Sequence, residues 1–202
     1  MNQQVHTTRT ILLALAAFLA AAVCPAQSQD ETGLHAASGT ITVNGKTMDL
    51  KSAIAVWNEK EKAIVIGLFP FQAGAQDAGV VQESGVLALA AVRPSPDESV
   101  WTKTPAGGIV IRYKKRPKTL VLKDVRAFSV RASWLDDPGK THAIGRSTAK
   151  QFAEEISEFG GNLTKIGGDI HLLAAGSDYL SGVYMDWNIR VDARVYAGKK
   201  QK

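Results

Sequence analysis

The stretch "GVYMDWNIRVDARVY" runs from Gly182 to Tyr196. Val183, Met185, Trp187, Ile189, Val191, Ala193 and Val195 are apolar, and Asp186, Asn188, Arg190, Asp192 and Arg194 stand between them, with Tyr184 and Tyr196 at the ends of the polar row. Successive side chains on a β-strand point to opposite faces, so a period of two over this length predicts a strand with one buried face. Two settings satisfy that pattern. One is a sheet in water that buries the Val/Met/Trp/Ile row. The other is an outer-membrane barrel, whose strands alternate over ~10 residues between aromatic girdles. Three features favour water. The chain continues past the strand into "AGKKQK"; Ala63 to Phe69, "AIVIGLF", is apolar on both faces, which a polar lumen would not hold; and a helix expected over Thr148–Phe159 has no place in a barrel wall.

The beginning of the chain has a different character. Arg9 precedes an uncharged apolar run, Ile11 to Val23. A membrane span needs ~20 apolar residues, so this run is short for one. It has the length of a signal-peptide h-region, and Ala26 and Ser28 supply the small residues of a cleavage site. The expected organisation is a signal peptide over 1–28, a flexible start over 29–38, one β-rich domain over 39–197 and a charged tail over 198–202. The protein is then expected to be exported, periplasmic or extracellular, with the membrane met only through the signal peptide. Its single cysteine, Cys24, would leave with that segment, so no disulfide, thiol nucleophile or cysteine-based metal site is expected. The chain carries 24 Lys+Arg against 19 Asp+Glu, a net +5 that loss of Arg9 lowers by one. This mild basic balance suits an anionic envelope component or an acidic protein partner. Export and the lack of a recognisable motif argue against nucleic acid.

Within the domain, "GTITVNGKTMDL" places two short runs around Asn44-Gly45, the pair that tolerates the positive φ of a tight hairpin turn. Met48, Leu50, Ile54 and Val56 read as one continuing apolar row. Ala63–Phe69 reads as a strand covered on both faces, closed by Pro70. "ESGVLALAAV" (Glu83 to Val92) reads as a short helix. "GIVIRYKKRPKTLVLKDVRAFSVRASW" reads as strand, basic turn, strand, with Phe128, Val130, Ala132 and Trp134 on one face. "STAKQFAEEISEFGG" is the best helix pattern. Ser147 or Thr148 caps it, Phe152, Ile156 and Phe159 share a face, and Gly160-Gly161 stops it. "GDIHLLAA", a turn at "GSD" and the final strand predict a closing hairpin. The expected fold is mainly β: a single-domain antiparallel β-sandwich or open barrel with one or two short helices.

Chemistry is sparse. Beyond the signal, His35, His142 and His171 have no ligand spacing, so no metal and no cofactor are expected. Asp169 and His171 lie two apart on one strand face, as the base half of a nucleophilic triad would, with Ser177 and Ser181 nearby. No G-x-S-x-G elbow accompanies them. The pairs Asp136-Asp137 and Glu154-Glu155 read as turn chemistry and helix surface. One constellation stands out. Arg112, Lys114, Lys115, Arg116, Lys118, Lys123 and Arg126 are cationic, Tyr113 is interleaved, and only Asp124 is acidic. Together with Trp101, placed between loops where a sugar could stack, Arg112, Tyr113, Lys114, Lys115, Arg116 and Lys118 are the candidate binding residues.

The segment "SGTITVNGKTMDLKSAIAV" (Ser38 to Val56) resembles the opening of small signal-bearing bacterial proteins of unknown function that share a G-x-[LI]-x-V-N-G-like hairpin. The resemblance covers fewer than 20 residues and implies neither an activity nor site residues. The expected role is non-catalytic binding of an envelope component or a protein partner. A hydrolase using a carboxylate or the Asp169/His171 pair is the alternative, and a small outer-membrane barrel the third.

Overall fold

The computed structural model of the protein describes residues 35–79, 81, 107–133, 135–136 and 140–197. The strands among them are β1 (His35–Val43), β2 (Lys46–Asp49), β3 (Ser52–Asn58), β4 (Ala63–Phe69), β5 (Gly107–Tyr113), β6 (Val125–Ser133), β7 (Thr141–Arg146), β8 (Ile156–Thr164), β9 (Gly167–Leu180) and β10 (Val183–Ala197). One α-helix, α1 (Ala149–Glu155), lies between β7 and β8. All ten strands join one sheet in the order β7-β6-β5-β4-β3-β1-β10-β9-β8, with β2 on β1. The sheet is antiparallel apart from one short parallel pairing and does not close into a full barrel, as the sequence leads one to expect.

The strand quoted at the outset is β10, and it organises the sheet. It is paired with β9 from Val183↔Leu180 to Tyr196↔Gly167, and on its other side with β1 from Val43↔Met185 to His35↔Ala193. Because β10 outruns β1, its last residues need another partner. β3 supplies it in parallel, Val195–Ala197 against Ala55–Trp57. Met185, Trp187, Ile189, Val191 and Val195 all point into the core, as alternation requires. β1 begins at His35, so residues 35–38 belong to the sheet and not to the flexible start expected over 29–38.

The sheet curls around one large core. Trp57, Ile64, Ile66, Leu68, Ile109, Ile111, Phe128, Val130, Ile170, Leu172 and the β10 row fill it. The outer side of β3, β4 and β5 carries a second apolar layer. There Ile54, Val56, Val65, Phe69 and Val110 pack with Ala73 and Val81, and Phe71 and Ala78 join them. Ala63–Phe69 is therefore buried on both faces, which explains its unbroken apolar run. The apolar row expected to continue from Leu50 into Ile54 and Val56 does not do so. Met48 and Leu50 face the large core, whereas Ile54 and Val56 face the second layer and Ala53, Ala55 and Trp57 turn inward. Alternation restarts in the other phase when the chain leaves β2 and enters β3.

The turns follow the sequence in part. Asn44 and Gly45 have φ of 49° and 80°, as the Asn-Gly hairpin requires. The expected turn at "GSD" is absent. β9 runs through Gly176–Asp178, and the chain reverses at Ser181-Gly182, φ 53° and 83°. The helix is also shorter than the Thr148–Phe159 expected. Thr148 caps it by accepting from the Gln151 amide, and Phe152 is buried, but it ends at Glu155. Ile156–Thr164 becomes β8, and Gly160-Gly161 lie inside that strand. The edge of β9 from Gly167 to Ala174 needs hydrogen-bond partners, and Ile156, Leu163 and the two glycines fit a strand against it. Tertiary pairing overrides the helical periodicity there. The helix expected in Glu83–Val92, and Trp134, lie outside the described residues.

Candidate binding surface

β5 and β6 are joined by residues 114–124, which hold most of the basic cluster. Two of its arginines are fixed by carboxylates from the β3–β4 turn. Arg112 Nη1 donates to Glu61 Oε2 at 2.7 Å. Arg116 Nη1 lies 3.7 Å from Glu59 Oε2, and its guanidinium stands over the Trp57 ring, 5.4 Å from the centroid. Arg116 also donates to the carbonyl of Thr164 at the end of β8. It therefore ties three parts of the chain together: β3, the β3–β4 turn and the β8–β9 turn. Glu59 accepts from Lys62 and from Trp57 Nε1, and these bonds hold its carboxyl below the usual carboxylate range.

The backbone of the connection is pinned as well. The Tyr113 amide donates to the Lys62 carbonyl at 2.8 Å. The Leu120 amide donates to Gly161 O at 2.9 Å, and the Leu163 amide to Lys118 O at 2.7 Å. Residues 118–120 thus cover part of the free edge of β8, and Leu120 is buried in the core.

The fold separates the five candidate cations on β5 and this connection into two kinds. Lys114, Lys115 and Lys118 are exposed and have no ion-pair partner among the described residues. Arg112 and Arg116 are committed to Glu61 and Glu59. Tyr113 is a correction: it is a core residue, 5% exposed, with its ring 6.1 Å from Trp57. Burial pushes its phenol well above the ordinary tyrosine range. The alternation of β5 puts Tyr113 inward with Ile109 and Ile111, a signal present in the sequence. Trp101 lies outside the described residues.

The Asp169/His171 pair lies on the outer face of β9, opposite Arg194 and Asp192 of β10. These four side chains line a shallow depression of about 380 Å³. The glycine at 160, opposite His171, leaves room for the imidazole, because a Cβ there would come within 2.4 Å of the ring. The nearby serines do not join it. Ser177 is six residues further along the same strand, ~20 Å away at strand rise, and Ser181 is in the turn beyond. The other histidines sit elsewhere. His35 is buried with Nε2 3.0 Å from Tyr196 Oη, and His142 Nε2 is 2.8 Å from Asp136 Oδ1. Among the described residues no group of three His, Cys, Asp or Glu could hold a metal ion.

Asp136 and Glu155, one member of each carboxylate pair, are structural. Asp136 accepts from His142 and Asn44, locking the β6–β7 connection to the Asn44-Gly45 turn. Burial opposes its charge, but those bonds outweigh it and lower its pKa. Glu155 accepts from Arg146, which also bonds Asp178. No family model, curated protein or solved structure matches the chain.

Proposed function

We propose that this is an exported, non-catalytic binding protein that presents the β5–β6 connection to an anionic envelope component or an acidic protein partner. The supporting observation is the division within the basic cluster. Arg112 and Arg116 spend their charge on holding the connection in place, while Lys114, Lys115 and Lys118 project into solvent unpaired on that fixed frame. A rigid array of unpaired cations keeps its charge for a partner and gives up little backbone entropy when it binds.

The distribution of polarity supports a water-facing sheet over the outer-membrane barrel. The inside is apolar, and the outward row of β10 carries Asp186, Asn188, Arg190, Asp192 and Arg194. A lipid-facing strand has the reverse arrangement. The hydrolase alternative keeps Asp169 and His171 on one face of β9, but neither Ser177 nor Ser181 stands beside them.

The test is retention of the chain from Gln29 to Lys202 on an immobilised polyphosphate resin. The triple variant Lys114→Glu, Lys115→Glu, Lys118→Glu should elute at much lower salt than the parent, because a protein that neutralises fewer phosphates binds more weakly and with a shallower salt dependence. Unchanged retention would remove this reading.

A further inference from the structure

We infer that the end of the sheet bearing the basic connection docks on an anionic lipid surface, with Ile166 as the side chain that enters the headgroup layer. This rests on the reading of Lys114, Lys115 and Lys118 as a binding array and gives that array its partner class.

Four parts of the chain meet at this end: the β3–β4 turn, the β5–β6 connection, the β8–β9 turn and the last residues of β10. Their proximity follows from contacts already described, Arg116 to Trp57, Glu59 and Thr164, and from the pairings Ala197↔Trp57 and Tyr196↔Gly167. Residues 59–62, 112–118 and 164–167 together hold eight Lys or Arg and two carboxylates, Glu59 and Glu61. Both carboxylates are engaged by cations of the same set. Lys60, Lys114, Lys115, Lys118 and Lys165 remain exposed without an ion pair among the described residues.

Ile166 sits among these charges at the tip of the β8–β9 turn and is 87% exposed, the most exposed of the large hydrophobic residues described. Turn positions select Gly, Asn, Asp or Ser, and a β-branched aliphatic residue has no local reason to be there. A single exposed apolar side chain is ordinary in itself. What singles out Ile166 is the set of unpaired lysines at the same end of the sheet. A peripheral membrane contact combines electrostatic attraction to anionic headgroups with a small buried apolar area, and neither signal alone suffices. The opposite end offers a contrast. Tyr179, Leu180 and Tyr184 are exposed at the β9–β10 turn, but residues 176–186 contain Asp178 and Asp186 and no Lys or Arg. The cations that adjoin it are already hydrogen-bonded, Lys46 to the Asp136 carbonyl and Arg146 to Glu155 and Asp178.

The experiment is co-sedimentation of the chain from Gln29 with vesicles of phosphatidylcholine, with and without phosphatidylglycerol. Binding is expected only to vesicles containing phosphatidylglycerol, weakening with salt. Each of Lys114→Gln, Lys115→Gln, Lys118→Gln and Lys165→Gln should weaken it about fivefold. Ile166→Ser should weaken it about tenfold while leaving polyphosphate-resin retention close to the parent's and the melting temperature unchanged. Inorganic phosphate at the same ionic strength as added chloride should displace no more protein than chloride does. Ile166→Ser binding vesicles like the parent would overturn the insertion, and selective displacement by phosphate would mean a phosphate ion and not a surface is recognised. Lysine-dependent retention on the resin with no vesicle binding would overturn the membrane partner alone. Loss of both would overturn the binding array with it.

Discussion

Arg146, the last residue of β7, donates from Nε to Glu155 Oε1 at 2.6 Å, joining one end of the sheet to the end of α1. The same guanidinium donates from Nη1 to Asp178 Oδ2 on β9 at 2.7 Å and stands over the Trp187 ring at 5.9 Å. β7 and β8 are the two edges of the open sheet, and α1 is the chain between them. Arg146 therefore bridges the gap that hydrogen bonding between strands leaves open. The Arg146 and Glu155 side chains are 12% and 13% exposed, so this pair is screened much less than a surface bridge.

Removing the guanidinium should be costly. Arg146→Ala leaves the Glu155 carboxylate nearly buried without its partner and should cost about 3 kcal/mol in a urea titration, the scale for breaking a buried pair from one side. Arg146→Lys should recover only part of this, since an ammonium cannot bond both carboxylates in a planar fork. A cost below about 1 kcal/mol for Arg146→Ala would mean that α1 and the core hold the gap without it.

Acid should weaken the fold through the same carboxylates. Hydrogen bonds from Arg146 and from the Tyr179 amide lower the Asp178 pKa, and those from His142 and Asn44 lower that of Asp136 against the opposing effect of burial. A carboxyl group with a depressed folded-state pKa stabilises the fold fully above its unfolded value, ~3.9, and loses that contribution as pH falls through the folded value. Urea midpoints should stay level from about pH 7 to 5 and fall below about pH 4. Asp178→Asn and Asp136→Asn should each make that acid limb shallower. An acid limb unchanged in both variants would assign acid sensitivity elsewhere.

Trp187 is 2% exposed in the centre of the β10 row, and Gly176 approaches its ring so closely that a Cβ there would lie 2.7 Å from it. Trp187→Ala should cost ~3–5 kcal/mol, the usual range for a large aromatic removed from a core. A loss under about 1 kcal/mol would show that this face of β10 is not the buried one.

Gly39 has φ of 102°, and a Cβ on it would sit 1.9 Å from the Asn188 carbonyl oxygen of the neighbouring strand. Neither the backbone conformation nor the neighbour can yield cheaply. Gly39→Ala should cost about 2 kcal/mol or more and weaken β1–β10 protection in hydrogen exchange. Gly45→Ala, with a positive φ but nothing within 4 Å, should cost less.

The two classes of cation in the basic cluster should behave differently. Arg116→Ala removes a ring contact, a carboxylate partner and a backbone hydrogen bond, and should cost about 1–2 kcal/mol of stability. Lys114→Ala and Lys115→Ala touch nothing comparable and should stay within about 0.5 kcal/mol of the parent while weakening anion retention. Thermal melts beside resin elution separate the two effects.

The strands are legible in the sequence wherever one face is wet or the turn chemistry is explicit. β10 alternates without a break, Asn44-Gly45 marks the β1–β2 turn, and the apolar run of β4 announces a strand covered twice. Legibility fails where a partner decides the outcome. Ile156 and Phe159 carry helical spacing, yet the open edge of β9 draws them into β8. The "GSD" segment looks like a turn, yet Asp178 is held in the strand by Arg146, 32 residues away in sequence. The basic connection is visible from composition, but its division into structural arginines and unpaired lysines is not. That division depends on Glu59 and Glu61, more than 50 residues earlier, and the clue is two carboxylates two positions apart in a polar turn. Ile166 escapes a sequence reading because nothing local marks one aliphatic residue in "TKIGG" as the apex of a cationic end.

The most direct test of the binding surface is a titration of the isotopically labelled chain with short-chain polyphosphate, followed by amide chemical shifts. The largest changes are expected at Lys114–Lys118 and Thr164–Gly167 together, with Asp169–His171 and Asp192–Arg194 left in place. Changes centred on His171 and Asp192, with the basic connection silent, would contradict the proposed surface and return attention to the depression on β9 and β10.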